Sequence, residues 1–239
     1  MKEEEKRKPL AVISGGAGYI GGAIAEELDR RGWRVAILTR VEHDTVRFPL
    51  FVCDITDEVQ VKKTIESIVE SYGSIQACIH AATAALDRKT ILATSPSSFM
   101  KSINTALCGG FLLAKETVPH MRSGSLFIGI TTEALEVQKP PPAMGAYVTA
   151  KYALRGLLRV LAGELAGKGV RVYAVAPGFL PGGLNGDLPE GVIEFIKKKT
   201  ANIQMPEDVA RLIGDLCSDS DAFPSGSSLS VLPRTASPL

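Results

Sequence analysis

The 239-residue sequence predicts a doubly wound α/β fold, a parallel sheet covered by helices on both faces. Short apolar runs alternate with stretches of helical periodicity along most of the chain. The runs are nearly continuous in apolar residues, as strands buried on both faces require. The first run ends in a glycine cluster that leads into a helix. Sustained β-α alternation with right-handed crossovers leaves few other architectures.

Each element has its own signal. "PLAVIS" (9–14) is the first strand, and Ile20, Ala23, Ile24, Glu27 and Leu28 follow at helical spacing. "WRVAILT" (33–39) and "LFVCD" (50–54) are the second and third strands. A helix follows, with Asp57 near its start and Gly73 at its end. "IQACIHAA" (75–82) is the fourth strand, followed by a helix over about 96–120. Next come a fifth strand in "SLFIGIT" (125–131), a helix over about 146–166 and a sixth strand in "VRVYAVA" (170–176). Beyond Gly178 the chain turns rich in Gly and Pro around one short helical piece, the composition of a lid over 179–205 that presents apolar Leu184, Val192 and Phe195. A helix over about 206–217 and a strand in "SSLSVLP" (227–233) complete about seven strands. One domain over 9–232 is expected between a charged tail at 1–8 and a short tail at 233–239.

Composition excludes several function classes. The chain is 45% hydrophobic and 22% charged, with net charge +1, so no overall field draws it to nucleic acid or an anionic membrane. The N-terminus lacks the apolar segment of a secretion signal, and no run approaches the ~18 apolar residues of a membrane span. A cytoplasmic protein is expected. Cys53, Cys78, Cys108 and Cys217 lie in separate segments, and His43, His80 and His120 are scattered, so neither a disulfide framework nor a metal site is indicated. The cysteines are expected as small core residues, and Lys197, Lys198 and Lys199 as one solvated helix face.

Two local patterns carry chemistry. "SGGAGYIGG" (14–22) sits between the first strand and the first helix. Glycines there let the backbone approach a pyrophosphate, and the helix start offers unpaired N–H groups and a positive dipole end. At the end of the second strand, where an acidic residue usually meets the adenosine ribose, the sequence reads Leu38-Thr39-Arg40. A guanidinium fork suits a 2′-phosphate, which favours NADP(H), with Glu42 and Asp44 as the ribose-binding alternatives. In "GAYVTAK" (145–151), Tyr147 and Lys151 stand four apart and so share one helix face. That spacing alone does not separate a catalytic pair from an ordinary solvated helix.

Taken together, the glycine turn, Asp54 after strand three, the Ala-rich end of strand four, Asn104 in the next helix, Tyr147-x-x-x-Lys151 and "APG" after strand six resemble the short-chain dehydrogenase/reductase family. The length and the "AVAPGF" turn resemble its compact single-domain branch, which includes 3-oxoacyl-acyl-carrier-protein reductases. Tyr19 stands where that branch has glycine, a likeness to the extended branch, but the 61 residues after Gly178 (239 minus 178) are too few for that branch's second domain.

The resemblance implies roles. Tyr147 would be the catalytic acid and Lys151 would bind the nicotinamide ribose and lower the phenol's pKa. Asn104 would hold a relay water, and Thr132, with Thr131 as the alternative, would replace the family's serine. The cofactor would meet Ser14, Gly15, Ala17, Gly18, Tyr19, Ile20 and Gly21 at the first turn, and Thr39, Arg40, Asp54 and Ile55 beside it. Ala81, Ala82, Thr83, Lys151, Pro177, Gly178, Phe179 and Leu180 would complete its contacts. "HAAT" (80–83) replaces the branch's "NNAG" and removes amides that tie strand four to its neighbours, and Tyr173 replaces a common asparagine.

The activity implied is NADPH-dependent reduction of a ketone, best a 3-oxoacyl thioester of acyl carrier protein or coenzyme A. Arg122 and Lys168 stand where carrier-protein-specific relatives have docking cations. A homotetramer or homodimer would assemble through the two long helices. The leucines 154, 157, 158, 161 and 165 could serve that interface or face the sheet. The alternative is a weakly catalytic NADP(H)-binding regulatory or scaffold protein of the same fold.

Overall fold

A computed structural model describes residues 8–43, 46–199 and 203–233. Most of both tails and Asp44 lie outside the described residues. Seven parallel strands lie in the order β3-β2-β1-β4-β5-β6-β7. They are β1 Leu10–Ser14, β2 Arg34–Thr39, β3 Leu50–Val52, β4 Ile75–His80, β5 Met121–Ile130, β6 Arg171–Ala176 and β7 Ser228–Ser230. The strand order reverses between β1 and β4, and a crevice opens there beyond the carboxyl ends of the strands.

Alternation along each strand builds two cores. Leu10 and Val12 of β1 face a layer formed by α2 (Glu58–Tyr72), α4 (Gly109–Thr117) and α5 (Gly145–Leu165), with Ile65, Ile68, Leu113 and Leu154 in the contact. Ala11 and Ile13 face the opposite layer, where Ile24 and Leu28 of α1 (Tyr19–Arg30) meet Val209 and Ile213 of α7 (Pro206–Ser218). Each such side chain contributes roughly 1.5–3 kcal/mol by leaving water. The leucine stripe of α5 faces the sheet: Leu154 and Leu158 are buried, and Leu157, Leu161 and Leu165 pack against the same core.

Helix ends follow local chemistry. Asp57 caps α2, accepting from the Val59 and Gln60 amides at 2.9 and 3.0 Å. Gly73 ends it at φ 86°. Ser95 caps α3 (Pro96–Ile103), with Pro96 at its start. The helix expected over 96–120 is continuous but not uniform. A π-turn, Asn104–Cys108, widens it between α3 and α4, and a 3₁₀ turn, Val118–His120, ends it.

Two strands differ from expectation. β5 starts at Met121 rather than near Ser125, because exposed Arg122, Ser123 and Gly124 carry no apolar signal and a register shift against β4 accommodates them. β7 is shorter than "SSLSVLP", although Val231 is still buried beyond its end. Tyr173 is fully buried in β6, with its hydroxyl 2.7 Å from the Ser220 carbonyl and 2.6 Å from that of Phe223, which ties β6 to the loop before β7. Cys53 and Cys78 are buried as expected, whereas Cys108 and Cys217 are only partly so. Among the described residues no cluster of metal-ligating side chains occurs and no helix is long and apolar enough to cross a membrane.

Candidate active site

The glycine turn is fixed from both sides. Gly15 lies in the left-handed region at φ 71°, and a Cβ there would sit 2.8 Å from the Ala82 Cα. The turn therefore packs directly on the end of β4, and only glycine fits. Gly18 precedes α1 without a side-chain cap, and no acidic residue occupies the first helical turn. The helix start is thus open to an anion from the crevice.

The crevice is a cavity of about 1030 Å³. One end is bordered by Thr39 at the end of β2, by Arg40, Val41 and His43 after it, and by Asp54 and Ile55 after β3. Asp54 also holds its own turn, accepting from the Thr56 amide at 2.9 Å and hydroxyl at 2.8 Å. Ala17, Gly18, Tyr19, Ile20 and Gly21 form the middle with Ala81, Ala82 and Thr83. Asn104, Thr132, Tyr147, Lys151, Pro177, Gly178 and Leu180 border the other end. Ser14 and Phe179 do not border it: the buried Ser14 hydroxyl is turned to His80. Glu42 does not border it either.

The chemical end is built by α5 and the loop after β5. Thr132 accepts from the Ala134 amide at 3.3 Å, and its hydroxyl is close enough to the Tyr147 phenol to act on its pKa at the same end of the cavity. Thr131 also borders the cavity, but its hydroxyl is directed 3.2 Å away to the Val175 carbonyl in β6. The two threonines are therefore distinguished by their partners. Lys151 is buried and donates to the Ile130 carbonyl at 2.7 Å, with Nζ 5.7 Å from the centre of the Tyr147 ring.

Burial dominates the electrostatics. Desolvation brings the Lys151 ammonium down to about 8. It raises the Tyr147 phenol above its ordinary 10, opposed by the Thr132 hydroxyl. The expected lowering of the phenol by Lys151 is not found, because burial disfavours phenolate and ammonium alike.

The segment after β6 crosses the mouth of the cavity. Gly182, Gly183, Leu184 and Asn185 border it. Arg88, on the loop after β4, donates to the Leu184 carbonyl at 3.0 Å and to Asp187 at 2.9 Å. The next helix, α6 (Glu190–Lys199), leaves Val192 and Phe195 exposed, so of the three apolar lid residues expected only Leu184 reaches the cavity. Fully buried Gln204 closes this segment, accepting from the Gly178 amide at 2.8 Å and donating to the Val231 carbonyl at 2.7 Å. Sequence reading missed Arg88 and Gln204, since both act through chain segments far away in sequence.

A parallel doubly wound sheet with Asn104, Thr132, Tyr147 and Lys151 gathered at the carboxyl ends of its strands has the arrangement of a short-chain oxidoreductase. Residues 15–231 match the family described as enoyl-(acyl carrier protein) reductase, and the chain belongs to that family of short-chain dehydrogenases/reductases. Tropinone reductase-like 3 of Erythroxylum coca is 29% identical over 245 residues, covering 96% of this chain and 94% of its own. The 3-oxoacyl-[acyl-carrier-protein] reductase FabG of Thermotoga maritima is 28% identical over 228 residues, covering 92% and 88%. A Serratia marcescens short-chain dehydrogenase/reductase mutant shares the fold with TM-score 0.85 at 21% identity, covering 95% of this chain and 97% of its own.

Proposed function

We propose that the chain is an NADPH-dependent carbonyl reductase that converts a ketone to a secondary alcohol and runs in reverse as an alcohol dehydrogenase. The observation that carries this reading is the pairing of the Tyr147 and Thr132 hydroxyls at one end of a cavity whose other end holds Arg40. At about 1030 Å³ the cavity lies at the upper limit of single-ligand sites, which suits a dinucleotide with a second small molecule. The uncapped start of α1 suits the pyrophosphate, and the Arg40 guanidinium with the Thr39 hydroxyl suits a 2′-phosphate.

The bound dinucleotide supplies hydride. Tyr147, kept protonated by burial, gives its phenolic proton to the carbonyl oxygen, and the Thr132 hydroxyl orients that oxygen. Lys151, with its ammonium near 8, exchanges protons close to neutral pH, and Asn104 borders the same end as the proposed holder of a relay water. A 3-oxoacyl thioester of acyl carrier protein or coenzyme A is the favoured substrate, a reading supported by the Thermotoga maritima relative. Assembly as a homotetramer or homodimer through the 96–120 and 145–165 helices belongs to the same reading. Exposed Phe111 and Val160 lie on those helices.

Calorimetric titration with NADPH and NADH tests the cofactor without a chosen ketone. NADPH is expected to bind at least about tenfold more tightly, a preference that Arg40→Ala removes. Equal binding of both would overturn the NADPH assignment, and binding of neither would overturn the oxidoreductase reading. A panel of 3-oxoacyl thioesters then tests the substrate class.

A further inference from the structure

We propose that His80 is a positioning residue of the active site, holding the π-turn that carries Asn104 against the first strand through its two ring nitrogens. The inference rests on the reading of Asn104 as part of the reductase site. His80 is the last residue of β4, fully buried, and does not border the cavity. Its Nδ1 lies 2.8 Å from the Ser14 hydroxyl, and its Nε2 lies 3.0 Å from the Ala106 carbonyl. A carbonyl only accepts, so Nε2 carries the hydrogen, Nδ1 is the acceptor, and Ser14 donates. The partners thus select one neutral tautomer.

Both partners stand next to functional parts. Ser14 immediately precedes Gly15 of the glycine turn, and Ala106 lies two residues after Asn104 in the π-turn. A π-turn is a wide, rare turn often found at functional sites, and here a ring outside the helix holds one of its carbonyls. Gly110 lets the helix pass close to the ring, since a Cβ there would fall 3.2 Å from His80 Cδ2. The surroundings also keep the ring neutral. Burial first, and then the Lys151 ammonium on α5, disfavour an imidazolium; the π-turn presents the backbone of Thr105 and Ala106, and β1 presents Ser14. "HAAT" therefore does not leave strand four untied. One imidazole makes the tie and extends it from β1 to the π-turn.

Two substitutions separate the halves of the bridge. The amide of His80→Gln reaches the place of Nε2 and can still donate to Ala106, whereas that of His80→Asn reaches only the place of Nδ1 and Ser14. His80→Asn is expected to lower kcat for a ketone by at least about tenfold through misplacement of Asn104, with KM and the NADPH Kd changed less than about twofold. His80→Gln is expected to recover most of that kcat. Amide hydrogen exchange over 104–110 should accelerate in His80→Asn and not in His80→Gln. Equal kcat and equal exchange in the two variants would overturn the proposal. If the wild type reduces no carbonyl, the function reading fails by itself and the exchange comparison still decides the bridge. Nitrogen-15 NMR of the wild type is independent of either variant's folding: a neutral Nε2–H ring at pH 6 is expected, and an imidazolium there would overturn the assignment.

Discussion

The ring of Tyr19 lies so close over Gly182 that a Cβ on the glycine would fall 2.7 Å from the tyrosine Cζ. Gly183, at φ 61°, fits under the same side chain, where an added Cβ would fall 3.0 Å from the Tyr19 Cβ. The residue that departs from the compact-branch glycine turn is thus the one that meets the lid. Arg88, on the loop after β4, also holds the lid through the Leu184 carbonyl and Asp187.

Gly182→Ala should open this contact, because overpacking costs about 1–3 kcal/mol and the exposed lid is the part able to yield. Faster NADPH release and an affinity loss on the order of tenfold are expected in stopped-flow displacement. Tyr19→Gly should shift release in the same direction. Unchanged release in both variants would show that the contact does not govern the cofactor.

Removing the Thr132 hydroxyl tests the chemical end. Thr132→Val keeps the branched shape and should lower kcat by roughly 10²-fold with NADPH binding preserved. Thr131→Val, whose hydroxyl bonds the Val175 carbonyl, should leave kcat within about threefold. Tyr147→Phe should lower kcat by about 10²–10⁴-fold at unchanged NADPH affinity. Steady-state kinetics with parallel calorimetry separates these outcomes.

The buried Lys151 predicts a pH effect on stability. Its folded value of about 8 lies below the ordinary ~10.4 of an unfolded chain, so between these values the unfolded chain holds more protons. The Lys151 contribution therefore rises with pH across that window and is lost as pH falls from ~10.4 to 8. Buried Cys78 and partly buried Cys217, both pushed up to about 12, act in the opposite sense. Urea unfolding of wild type and Lys151→Met at pH 7, 8 and 9.5 isolates the lysine: the stability difference should stay flat to about pH 8 and then move in favour of the wild type. A flat difference throughout would contradict the burial of its charge.

Tyr173→Phe should destabilise the fold by about 1 kcal/mol, since the hydroxyl bonds the carbonyls that precede β7 while the ring fills the core. Thermal unfolding reads the loss, and NADPH affinity should be unchanged.

Much of the site was legible because short-range rules govern it. Gly15 and Gly18 announce a turn, Thr39 and Arg40 follow a strand end, and the i, i+4 spacing of Tyr147 and Lys151 places them on one helix face. The direction of the Tyr147 shift was not legible, because desolvation depends on how deeply the fold buries the ring. The division between Thr131 and Thr132 was also hidden, since it depends on which hydroxyl meets Val175 across the sheet.

By itself, then, the sequence determined the alternation of strands and helices, the position of the glycine turn and the residue types brought to the strand ends. Periodicity, capping and turn chemistry act over a few residues and are written locally. Only the tertiary structure decided that His80 joins Ser14 to Ala106, that Tyr19 meets Gly182, and that Gln204 braces Gly178. Those contacts link residues 26 to 163 positions apart, and it is packing against the completed sheet that brings them within reach.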